Sequence, residues 1–447
     1  MNKRIGDHAV VLGASMAGLL TAGVLAKSYG RVTVFDRDTM PEIGAHRRGV
    51  PQDKHLHVLH PRGRQALDEL FPGLTGQLIE QGAATGDALG NVRWQLSGYQ
   101  LRQADISLLG LSASRPFLEG HVRARVSDLP NVTFIERTDV VAVTATTDHH
   151  RVTGVRVHDA ADGCERAVPA DLIIDATGRG SRAPLWLSEL GYERAAVDRV
   201  DIGLGYATRT YRLRPGALGT DVGMLTAATP LNPRGGALTT IEGGRHILTI
   251  FGILGDHPPT DPAGFDAFAA SLPFPDIAQA IRDAEPLTDP VAFRFPASVR
   301  HRYERLRRFP IGLLVVGDAV CSFNPIYGQG MTVAAVQADT LRRLLARGEV
   351  PQPRRYFRMI ARTINTPWDI AVGADLAFPH VPGTRTAKIR LVNSYLPKLH
   401  AAATTDITLG RAFVRVLGMM DRPGGLLRPD RVLRVLKTRR PSTPTPT

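Results

Sequence analysis

Gly317-Asp318-Ala319-Val320-Cys321-Ser322-Phe323-Asn324-Pro325-Ile326-Tyr327-Gly328-Gln329-Gly330-Met331 is the stretch on which the fold turns. The apolar run 312–316 before it reads as a buried strand, and residues 332–345 after it read as a helix. A strand ending in Gly-Asp, a loop with Pro and two glycines, then a helix start suits a large polar ring system. Asp318 offers a carboxylate to sugar-like hydroxyls. Gly328 and Gly330 let the backbone come close to a ligand. Free N–H groups at the helix start favour negative charge there.

The other end of the chain supplies a matching half. Residues 9–12 are a short apolar run, Gly13-Ala14-Ser15-Met16-Ala17-Gly18 follows, and residues 19–27 read as a helix. Residues 31–35 then read as a strand closed by Asp36. This is a βαβ unit with G-x-S-x-x-G in place of G-x-G-x-x-G. Gly13 permits the tight turn and Gly18 close packing of helix on strand, while Ser15 replaces the middle glycine. Strand, helix and acid in register predict dinucleotide binding. A reduced flavin suits the 317–331 loop, because negative charge collects on its pyrimidine end.

A third marker is Asp175-Ala176-Thr177-Gly178-Arg179-Gly180-Ser181-Arg182, again a strand followed by a glycine-rich turn. It can be read as a second nucleotide fingerprint ending at Ala183. The strands before it (132–135, 139–145, 152–158 and 167–174) lack βαβ character, and no acid-ended strand follows. The turn is therefore predicted to mark a return of the chain to the first sheet. Ser114 is the expected N-cap of a helix with Pro116 near its start. Residues 185–300 read as a second domain with strands at 202–212, 236–241 and 246–253.

With 447 residues the chain has ample core for two or three domains. No apolar run approaches the ~20 residues of a membrane span. The polar start, residues 1–7, predicts no signal peptide, and Cys164 and Cys321 alone suit a reducing cytoplasm. The net charge of +13 is uneven: residues 382–447 carry thirteen Lys or Arg against Asp406, Asp421 and Asp430. Nucleic acid, anionic lipid or an acidic partner would each fit that charge, but a solvated helical tail is the favoured reading. No nucleic-acid module accompanies it.

The order GASMAG, DATGRGSR, GDAVCSFNPIYGQGM resembles the FAD-dependent group A monooxygenases with the p-hydroxybenzoate hydroxylase fold. RRGVPQDKHLHVL, SRPFLEGHVR and DIGLGYATR narrow the resemblance to flavin epoxidases of polyether biosynthesis, such as the monensin and lasalocid epoxidases. It covers most of residues 8–345. It implies an α/β fold, with a Rossmann-like FAD-binding domain (1–85, 111–184, 301–347) interleaved with a mixed-sheet substrate domain (86–110, 185–300). A helical C-terminal region (348–437) and a disordered tail (438–447) complete it.

The resemblance also implies roles. Gly13, Ser15 and Gly18 would surround the FAD pyrophosphate, and Asp36 would hold the adenosine ribose. Arg48 and Arg115 would contact phosphates or the ribityl chain, and Val141 would lie by the adenine through its backbone. Asp318 would bind ribityl hydroxyls. Pro325, Gly328, Gln329, Gly330 and Met331 would present backbone to the pyrimidine edge. Asp175 and Gly178 stand in the group's short Asp-Gly motif, here lengthened. NAD(P)H would be a transient reductant and molecular oxygen the second substrate, acting through a flavin C4a-hydroperoxide. The implied reaction is epoxidation of an alkene in an apolar polyketide-like intermediate, possibly carrier-bound. Aromatic or quinone-type hydroxylation, isoprenoid-type flavin reduction and non-catalytic FAD binding are the alternatives. A halogenase is disfavoured, because Trp94, Trp186 and Trp368 are isolated.

No catalytic residue or metal ligand is assigned. Gln52, His55 and His57 face the substrate or anchor the loop through backbone carbonyls. Cys321 is a loop group or a small buried residue. Trp368 and Phe378 line a channel or fill the core.

Overall fold

The computed structural model describes residues 4–438. Apart from Thr438, the expected disordered tail lies outside the described residues. A five-stranded parallel sheet carries the dinucleotide turn. Gly6–Leu12 pairs with Tyr29–Phe35 on one side and with Leu172–Asp175 on the other. Leu313–Val315 extends the sheet beyond Leu172–Asp175, and Val132–Ile135 beyond Tyr29–Phe35. Leu172–Asp175, Leu313–Val315 and the C-terminal halves of the first two strands are buried, because both faces of the sheet's centre are covered. Helix Met16–Leu25 is buried along nearly its whole length.

Leu172–Asp175 pairs with the first strand, so the Gly178–Arg182 turn returns the chain to the first sheet, as its sequence predicts. The expected single strand 167–174 is two. Glu165–Pro169 ends a three-stranded antiparallel sheet. Leu172–Asp175 begins after a break at Ala170-Asp171, where the Asp171 carboxylate accepts the Asp7 and His8 amides at 2.7 and 3.0 Å.

A nine-stranded mixed sheet forms the other body. Its longest members are Val197–Arg212 and Val291–His301, paired antiparallel. The second strand was not expected, since Pro296 interrupts its pattern. The partner strand bulges between Asp201 and Leu204, opposite that proline. A bulge leaves residues unpaired, which is where an interior strand can hold a Pro.

The long helix Pro353–Asp375 seals the main core with Tyr356, Phe357, Ile360, Ile364 and Trp368. Helices Ala387–Ala402, Ile407–Leu417 and Pro429–Lys437 form a separate apolar cluster against Leu89, Trp94 and Leu96. Among the described residues no helix is long and apolar enough to cross a membrane.

Candidate active site

The dinucleotide turn is built for close approach. Gly13 has φ +96°, and a β-carbon there would sit 2.8 Å from the Ala176 carbonyl oxygen. A methyl at Gly18 would collide with the Gly13 carbonyl. Both positions therefore require glycine. Ser15 precedes the helix, accepting from Arg115 at 2.8 Å and donating to Glu119 at 2.9 Å.

Behind this turn runs a buried chain of charges that the sequence did not reveal. Arg47 pairs with Asp36 at 2.8 Å and with Glu119 at 3.1 Å, and Glu119 pairs with Arg115 at 2.9 Å. Burial alone would lower the Arg47 pKa, yet the Asp36 and Glu119 carboxylates hold it above its ordinary value. Asp36 also accepts the Ala14 amide at 2.7 Å, so the acid that closes the second strand fixes the turn itself. The four-residue spacing of Arg115 and Glu119 was legible as a helical pair. Its role beneath the turn was not.

The 317–331 loop faces this turn across the cavity. Asp318 lines the cavity and is accessible from it. Desolvation between the cavity walls pushes its carboxyl pKa up, and Arg179 and Arg115 oppose that shift. The backbone of the loop is pinned from two sides. The His60 ring N–H donates to the Tyr327 carbonyl at 3.0 Å. Asp375, fully buried at the end of the long helix, accepts from Asn324 and from the Tyr327 hydroxyl, both at 2.9 Å. Burial pushes the Asp375 pKa up to about 7 against those two hydrogen bonds.

A continuous cavity of about 2940 Å³ joins the turn, the loop and the C-terminal helices. It exceeds a usual small-molecule site of ~300–1,000 Å³ severalfold, which leaves room for a second ligand beside a dinucleotide. Its far chamber is lined by Trp94, Leu96, Phe378, Tyr395, Phe413 and Leu426. Gln52, His55 and His57 lie on its wall. His55 contacts Thr208 at 2.8 Å and sits edge-on to Tyr206 and Phe293. The His57 Nδ1–H donates to the His55 carbonyl at 2.9 Å, so its Nε2 is left as an acceptor. Burial pushes His55 down to about 4. Burial and then Arg115 push His57 down to about 3. Both rings are neutral near pH 7.

Gly13, Ser15, Asp36, Arg115, Gly178, Asp318, Pro325, Gly328, Gly330 and Met331 meet around this one cavity. Other expected contacts fall elsewhere. Arg48 is exposed, and its neighbour Arg47 enters the site. Thr138, Asp139 and Val140, at the start of the strand Thr138–Ala145, line the wall, and Val141 lies one residue beyond them. Asp175 is sealed below the turn, accepting from the Thr177 amide at 3.0 Å and the Ser181 hydroxyl at 2.6 Å. Gln329 is buried behind the loop, and Gly18 is packed against the turn. Trp368 belongs to the core, beside Phe323. Cys321 is a small buried residue.

These residues fit FAD. The Gly13–Gly18 cradle accepts a pyrophosphate, Asp318 suits a polyol, and helix Gly330–Leu345 starts at the cavity. Arg47 Nε, on the cavity wall, is buried without a partner among the described residues, so the site holds polar capacity the protein does not use.

This is the flavoprotein fold shared by FAD-dependent monooxygenases and halogenases. A flavoprotein/dehydrogenase from Cytophaga hutchinsonii superposes with TM-score 0.70 at 15% identity, covering 96% of this chain and 98% of that one. The flavin-dependent brominase Bmp2 gives 0.67 at 17%, covering 92% and 93%. At such identities the likeness speaks for the fold alone. Within that fold the chain belongs to the family of Protein Rv3254 of Mycobacterium tuberculosis, with 37% identity over 94% of this chain and 92% of the relative. A kynurenine 3-monooxygenase of Salinispora tropica is 27% identical over 75% of this chain and 71% of its own length. No protein-family model matches the chain.

Proposed function

We propose that this protein is an FAD-dependent monooxygenase. It takes reducing equivalents from NAD(P)H and transfers one atom of molecular oxygen to a large, mostly apolar substrate. Epoxidation of an alkene in a polyketide-like secondary-metabolite intermediate is the leading reaction. One observation carries the reading: a single cavity runs from the dinucleotide turn, past Asp318, into a chamber walled by apolar side chains.

Bound FAD would supply the redox chemistry and the activation of oxygen. The chain's own residues do the rest. The Gly13 turn and Arg115 hold the phosphates, Asp318 holds the polyol, and the 328–331 backbone meets the pyrimidine edge. The apolar wall excludes water and orients the substrate. The neutral His57 Nε2 accepts a hydrogen bond from a ligand hydroxyl. Hydroxylation of an aromatic or quinone-type compound is the second reading, favoured by the likeness to a kynurenine 3-monooxygenase.

Purified holoprotein turned over with NAD(P)H and candidate polyenes or aromatics under isotopically labelled oxygen tests this. Substrate-stimulated NAD(P)H oxidation with one labelled atom in the product is expected. Label in an aromatic ring selects the second reading, and anaerobic product formation points to a reductase. Unstimulated oxidation with no labelled product on either class rejects the monooxygenase. Asp318→Ala should lower flavin occupancy, since a charge-assisted hydrogen bond contributes about 1.5–3 kcal/mol.

A further inference from the structure

The C-terminal cap leaves an apolar and basic surface with no cover. In helix Pro429–Lys437 Val435 packs inward, while Leu433 and Leu436 stand 55% and 69% exposed, three positions apart on one face. The turn Pro423–Leu427 joins this helix to Ala387–Ala402. Arg431 donates to the Gly425 carbonyl at 2.7 Å, and the Tyr395 hydroxyl donates to the Leu426 carbonyl at 3.0 Å. Leu391 and Leu427, on those two neighbouring elements, are also exposed. Both line the cavity, together with the exposed Lys388 and Arg422. The leucines of the cap and the rim of the chamber therefore belong to contiguous elements.

The charge of this cap is one-sided. From residue 382 to 438 eleven Lys or Arg stand against Asp406, Asp421 and Asp430. The three acids are each engaged by arginine: Asp406 by Arg434, Asp421 by Arg415 and Asp430 by Arg428. Arg390, Lys398, Arg422 and Lys437 are exposed and have no carboxylate partner among the described residues. Cations flanking exposed leucines on a short amphipathic helix match an anionic lipid interface. There the leucines enter the acyl boundary and the cations meet headgroups. A solvated tail explains the cations but leaves the leucines in water.

We propose that the cap formed by residues 387–437 docks on the surface of an anionic lipid bilayer. The rim at Leu391 and Leu427 then faces the lipid, so an apolar substrate can pass to the chamber without crossing water. The docking stands apart from the oxygenation chemistry and is read without turnover.

The test is co-sedimentation of the full-length holoprotein with vesicles of phosphatidylglycerol and, separately, of phosphatidylcholine, at low and high ionic strength. Binding to the anionic vesicles, weakened by salt and much weaker on the zwitterionic ones, is expected. The double variant Leu433→Ser, Leu436→Ser should bind at least ~10-fold more weakly, because two exposed leucines supply the apolar contact. Its flavin content and circular dichroism should be unchanged, since both side chains are more than half exposed. Equal binding to both lipids, no binding to either, or unaltered binding by the double variant overturns the proposal. So does a dimer in solution that the double variant abolishes while vesicles bind neither protein, which would assign the leucines to a second copy of the chain.

Discussion

At the scale of single residues, the site is governed by where charge is allowed to exist. Arg47, Asp36, Glu119 and Arg115 are buried but mutually paired, which is the condition under which interior charges persist. The buried histidines His55, His57 and His400 follow the opposite rule and are kept neutral. His400 is buried beside Phe413, meets the Ser97 hydroxyl at 3.0 Å, and is pushed by burial down to about 3. The folded protein therefore takes up the His400 proton less readily than the unfolded chain. Its contribution to stability is intact above the ordinary histidine value of 6.5 and is lost as pH falls toward 3. Between pH 7 and 5, wild type should lose on the order of 1–2 kcal/mol more than His400→Gln in urea unfolding. Parallel pH profiles of the two proteins would reject this account.

At the scale of elements, the 317–331 loop is shaped by what holds it from outside. Its strand and helix were legible from the apolar run and the glycines. The tether was not, because Asp375 lies 51 residues beyond Asn324. Asp375 has one carboxylate oxygen shared by two donors and a second with no partner among the described residues. Asp375→Ala leaves the Asn324 amide and the Tyr327 hydroxyl unpaired in the interior, at a cost of about 1–3 kcal/mol. We expect that loss in thermal unfolding, with weaker flavin retention. Asp375→Asn keeps an acceptor and should retain most of both. Flavin retention equal to wild type in Asp375→Ala would show that the tether does not set the loop.

At the scale of the whole molecule, function depends on how the C-terminal helices close the chamber. Cutting the chain after Arg347 does not isolate that role. It would also remove Tyr356, Phe357, Ile360 and Ile364 from the main core. A substitution inside the chamber is cleaner. Gly373 lines the cavity on the long helix, and a β-carbon there meets nothing within 4 Å. Gly373→Phe should fold normally, since glycine is the poorer helix former and the position opens onto free space in the last turn of the helix. It should retain FAD while narrowing the space for a large substrate. Product formation should fall and NAD(P)H oxidation should divert to hydrogen peroxide. Undiminished coupled turnover would place the substrate elsewhere.

What the sequence determined by itself is local and periodic. The βαβ turn at Gly13–Gly18, the return strand before Gly178, the Gly-Asp loop at 317–331 and the amphipathic C-terminal helices all follow from spacing within short windows. Even the paired motifs that meet in one cavity were visible as fragments of a dinucleotide site. Tertiary structure alone decided which of two adjacent residues enters the cavity, Arg47 over Arg48 and Val140 over Val141. It also decided that Trp368 joins the core, that Pro296 finds a bulge, and that Asp375 grips a distant loop. These outcomes depend on contacts between segments far apart in the chain. Periodicity says which residues share a face, and only packing says what that face meets.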